Sequence, residues 1–78
     1  MEVQIKTFII DGGSIVPQKE ERQLTAIALA KKRALQAFNA WLRRNPCVKI
    51  IGSKFNEIYD HDGDTPLLGY SIEILYIR

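Results

Sequence analysis

Cysteine is almost absent. Cys47 is the only one, so no intrachain disulfide can form. Histidine is equally scarce, with His61 alone, and a thiolate–imidazole zinc site within one chain is excluded. No apolar run approaches the ~18–20 residues that cross a bilayer, so no membrane-spanning helix is predicted. The opening, Met1 to Lys6, mixes both charge signs with apolar residues, unlike the basic head and apolar stretch of a secretory leader. A cytoplasmic location is the expectation. Acidic residues are missing from Arg22 to Asn45, which removes the paired helix carboxylates of acid–base chemistry.

What is present is a chain of 78 residues, read as one domain spanning 1–78. A domain this short has a thin stability margin. Without disulfide or metal, oligomerisation is the expected support.

The long stretch from Glu20 to Asn45 organises the rest. Leu24, Ile27, Ala28, Ala34, Leu35, Phe38 and Leu42 form an apolar stripe at helical spacing, with Trp41 at its edge. Asn45-Pro46 marks the stop. The expected helix is about 36 Å long, more than a short three-stranded sheet covers. Two residues fit poorly. Lys31 falls in the middle of the stripe, with Glu73 as a candidate partner. Leu29 falls on the polar side.

Three strands are predicted around it. Val3–Ile10 alternates, with Val3, Ile5, Thr7 and Ile9 facing one way. Its end is apolar on both sides, which points to a central or covered position. Cys47–Tyr59 is the second strand, with a bulge expected near Gly52-Ser53. Leu67–Ile77 is the third and most apolar, with Tyr70, Ile72, Ile74 and Tyr76 on one face. Asp11-Gly12-Gly13-Ser14 reads as a connector, since it lacks the spacing of a phosphate-binding glycine loop. Tyr59–Pro66 reads as a hairpin loop too long for a two-residue turn.

The predicted fold class is α+β, in the order β-α-β-β. It is a three-stranded mixed sheet of order 1-3-2 with one long helix packed on one face. That order resembles the small β-α-β-β architecture of dodecins, a likeness of fold that implies no ligand. One helix covers one sheet face. Phe8, Phe55, Leu75 and Ile77, or the opposite set, are expected on the other, and self-association through it follows.

Chemistry is sparsely represented. Asp60, Asp62 and Asp64 stand at alternate positions, as in a calcium loop, but Thr65 and Ser71 replace the glycine and glutamate that such a loop needs. Cys47 and His61 have no third residue to orient them as a nucleophile pair. No catalytic residue, cofactor site or metal site is assigned. The net charge is only +2, yet the helix carries Arg22, Lys31, Lys32, Arg33, Arg43 and Arg44 without an acid among them. Arg22, Lys32, Arg33, Arg43 and Arg44 are the candidate macromolecule-binding residues. The expected function is a non-enzymatic accessory protein that forms homo-oligomers and binds another protein. Nucleic-acid binding through the basic helix face is the alternative.

Overall fold

The computed structural model describes the backbone of residues 2–62 and 65–78, and the side chains of those residues outside 60–67. Strand β1 spans Gln4–Asp11, helix α1 Ala26–Arg44, strand β2 Lys49–Asp62 and strand β3 Thr65–Ile77. The sheet order is β1-β3-β2, the predicted 1-3-2, with the helix on one face. Both hydrogen-bonded pairs are antiparallel. The sheet is mixed only in that its outer strands share a direction.

The sequence expectation for β1 fails in one respect: it is an outer strand, and Ile9 is 67% exposed. Its alternation sorts the faces. Phe8 and Ile10 oppose Ile72 and Tyr70 beneath the helix, while Ile5 and Ile9 oppose Leu75 and Ser71 on the open side.

Between β1 and α1 the chain makes two 3-10 turns, Gly12–Ser14 and Lys19–Glu21. Asp11 Oδ1 accepts the Gly13 N–H at 2.9 Å and holds the first turn. Gly12 is buried, and a Cβ there would strike the Ala26 carbonyl. The connector is thus the seat on which the helix start rests. The helix begins at Ala26, six residues later than Glu20, because Thr25 is its N-cap and accepts the Ala28 N–H at 3.1 Å. Its 19 residues give about 28 Å rather than 36 Å.

The helix is also rotated from its expected phase. Ala30, Ala34 and Trp41 are buried, Leu29 is only 4% exposed, and Lys31 is exposed. Ala34, Leu35, Phe38 and Leu42 of the predicted stripe do pack on the core, but at ~100° per residue the core-facing side is turned by about 40° toward Ala30 and Trp41. Leu24, counted in that stripe, lies outside the helix and is exposed. Among the described residues Lys31 meets no acid; its Nζ sits 5.8 Å from the Tyr70 ring centre, and Glu73 belongs to the opposite sheet face.

Two alanines at the contact let the helix lie close to the sheet. The core closes around Trp41, which meets Tyr76 edge-on at 4.9 Å and Phe8 at 6.2 Å. Phe38 packs against Phe8 at 5.9 Å between centroids. From β3, Ile72 and Ile74 are fully buried beneath the helix.

The hairpin strands are longer than expected, 14 residues in β2 and 13 in β3. Thirteen residues at ~3.3 Å give about 43 Å, which matches the 44 Å long dimension of the molecule. Pairing continues to Asp62 opposite Thr65, so the strands take up most of the predicted loop; Gly63 and Asp64 lie outside the described residues. The register shifts between Ile50 and Gly52, so the bulge is at Ile51. It changes the parity of β2: Ile50 shares the helix side with Tyr76, and after the bulge Phe55 shares it with Ile72. Phe8 and Phe55 are therefore on the helix side, not the open one. Leu75 and Ile77 are on the open face as expected.

Candidate functional site

The open sheet face is built by alternation. β1 contributes Ile5, Thr7 and Ile9, and β3 contributes Ser71, Glu73, Leu75 and Ile77. β2 adds Lys49, Gly52, Lys54, Asn56 and Ile58. Ile5 is 62% exposed, and Val3, just ahead of the strand, is exposed as well. Lys54 and Glu73 are register partners, so a charge of each sign stands at the centre of this face, with Lys49 at one end of it. The whole molecule is only 13 Å thick between Cα extremes, which leaves no second layer on this side.

A second uncovered strip lies beside the helix. α1 covers β1 and β3 but hardly reaches β2, so Phe55 is 49% exposed although it is on the helix side. Tyr59 extends the strip, and its hydroxyl donates to Glu57 Oε2 at 2.6 Å. That bond holds the Tyr59 pKa above its usual value.

The five predicted basic residues separate into three groups. Lys32 and Arg33 converge on Glu21, which is 1% exposed. Lys32 Nζ is 2.9 Å from Oε2, and Arg33 Nη2 donates to Oε1 at 2.8 Å. The Gln18 N–H also donates to Oε1, at 3.0 Å. The Lys32 ammonium, then the Gln18 amide, hold the Glu21 carboxyl below its ordinary pKa, against the opposing effect of burial. Because Glu21 reaches residues 11 and 12 positions ahead, the segment before the helix doubles back along it. Arg22 is exposed just after this turn. Arg43 and Arg44 are exposed in the last helical turn, at the other end of α1.

Two basic residues that the sequence reading did not count join Arg43 and Arg44. Arg78 Nη2 donates to Asn45 Oδ1 at 3.1 Å, and Asn45 Nδ2 donates to the Trp41 carbonyl at 2.8 Å. The C-cap of the helix therefore holds the Arg78 guanidinium beside it. Lys49 is the register partner of Ile77 at the same end of the sheet. Their only signal in the sequence was the β-α-β-β order, which brings the start of β2 and the end of β3 to the helix C-terminus.

Cys47 is an exposed free thiol near this end. The side chains of Asp60, His61, Asp62 and Asp64, and with them the calcium-loop and nucleophile-pair readings, lie outside the described residues. Among the described residues no three His, Cys, Asp or Glu side chains gather as a metal site. Among the described residues no helix is long and apolar enough to cross a membrane.

Comparison with known protein families, with characterised proteins and with solved structures finds no match to this chain.

Proposed function

We propose that the chain is a non-enzymatic accessory module that pairs with a second copy of itself through the open sheet face. The observation that carries this reading is the exposure of Ile5 and Ile9 beside Leu75 and Ile77 on one uncovered sheet surface. Eight residues by three strands make a face of about 27 by 14 Å, or ~400 Å² in projection. Side chains standing off the sheet raise the accessible area toward the ~800 Å² per partner of a standard interface.

Charge supports a second copy as the occupant. An isologous interface must complement itself. A two-fold axis running along β3 lays the β1 row of each copy, with Ile5 and Ile9, over the β2 row of the other, and sets Lys54 of each copy diagonally across from Glu73 of the other. Pairing in this way leaves both helices facing outward for a further macromolecule.

The test is solution mass by light scattering on the wild type and on Ile5→Lys/Ile9→Lys. The wild type is expected as a dimer. The double substitution is expected to weaken association by at least ~100-fold, since each isoleucine loses about 1.5–3 kcal/mol of burial per copy. Circular dichroism should stay unchanged, because both positions face solvent in the single chain. A wild type that remains monomeric at high concentration rejects the reading.

A further inference from the structure

We infer that the end of the molecule formed by Arg43, Arg44, Lys49 and Arg78 is a binding surface for the phosphate backbone of a nucleic acid. All four side chains are exposed. Among the described residues, none lies within ion-pair distance of a carboxylate; both ion pairs belong to Glu21. Among the described residues, the one carboxylate side chain near this end is Glu2, just ahead of β1.

The residues come from three elements and converge through the fold. Arg43 and Arg44 stand on the helix layer. Arg78 is anchored at the helix C-cap by Asn45. Lys49 belongs to the sheet layer. Together they form a basic path across the end of a 13 Å slab. Basic residues in a last helical turn have a local explanation, since each gains about 0.3–1 kcal/mol from the helix dipole. That explanation does not extend to Lys49, which belongs to β2.

Phosphate fits this surface better than clustered carboxylates do. Three of the four residues are arginines, whose forked donors engage phosphate oxygens in pairs. A nucleic-acid strand also presents charge at short regular intervals, so several contacts form at once. No exposed aromatic interleaves with the four, so the surface reads backbone and not base. The surface differs from the mid-helix basic face, where Glu21 already holds Lys32 and Arg33.

The inference stands apart from self-association, and one preparation tests both. Fluorescence anisotropy of a labelled oligothymidylate is followed over a salt series, with mass measured in parallel. Four contacts at ~0.7 each give an expected log–log salt slope of about −3. Arg43→Gln/Arg44→Gln, which leaves the Asn45 cap untouched, should halve that slope and weaken binding at least tenfold at low salt. Lys49→Gln should remove about one more contact, and Arg22→Gln should change nothing. Absence of binding at low salt overturns the inference. So does an equal loss from Arg22→Gln, or a slope that the arginine pair does not move. Displacement of the oligonucleotide by poly-glutamate at equal charge also overturns it, in favour of an acidic protein partner. A monomer that binds in the predicted way rejects only the self-association.

Discussion

Glu21 is the residue whose environment departs furthest from its place in the sequence. Beside Glu20 it reads as an ordinary acidic residue of a first helical turn. In the fold it is sealed against the helix and held by Lys32, Arg33 and the Gln18 amide. Its folded pKa lies below the ordinary carboxylate value of 4.5. The carboxylate therefore contributes stability that is fully present above the unfolded pKa, and that stability is lost as pH falls through the lower folded value. Glu21→Gln should lower the urea midpoint at neutral pH, and the gap from wild type should narrow as pH drops below about 4.5. A gap that stays constant into acid would show that Glu21 acts by shape and not by charge.

The same scale explains why the helix phase was misread. Leu24 looked like the head of the apolar stripe but precedes the N-cap. Ala34 was counted in that stripe, but Ala30, fully buried with it, was not. Contact at alanine is set by steric fit, which a hydrophobic pattern does not register. The two misfits, Lys31 in the stripe and Leu29 outside it, were the legible sign of the error.

Among the elements, β3 was the most readable. Tyr70, Ile72, Ile74 and Tyr76 alternate without interruption, and apolar residues recur on both of its faces, as a central strand requires. β2 was readable only in part, because one extra residue reverses its faces. Ile51 at the bulge lets Ile50 and Phe55 lie on one side despite their odd spacing. Deleting Ile51 removes the extra residue, so Ile50 and Gly52 become neighbours opposite Tyr76 and Leu75 and every side chain keeps its face. The expected outcome in chemical denaturation is a stability within about 1 kcal/mol of wild type, as for other changes at exposed positions. A loss of about 2–4 kcal/mol, the cost of taking large side chains out of the core, would show that β2 had slipped and turned one set of residues to the wrong face.

At the scale of the whole molecule, the fold was legible and the functional surface was not. Strand order followed from the handedness of the crossover and from the apolar centre of β3. The basic end required knowing that the end of α1, the start of β2 and the end of β3 meet, which no local pattern encodes. Neither surface contains a motif, because self-association and phosphate contact use common residue types in an arrangement that only the fold creates.

The strand order also makes every ladder depend on β3. β1 and β2 bond only to it and never to each other. A chain stopped after Asp62 should therefore show no strand signal by circular dichroism and no dispersed amide resonances; a cooperative unfolding transition in that fragment would overturn this. On the ribosome the same dependence becomes a matter of timing. β1, α1 and β2 emerge first with no partner for their edges, and at ~5–20 residues per second the gap before β3 is complete lasts a few seconds. During that interval Ile5, Ile9 and Phe55 are carried on unpaired strands. The nascent chain is then most open to pairing with the wrong neighbour, and the arrival of its most apolar strand closes that window.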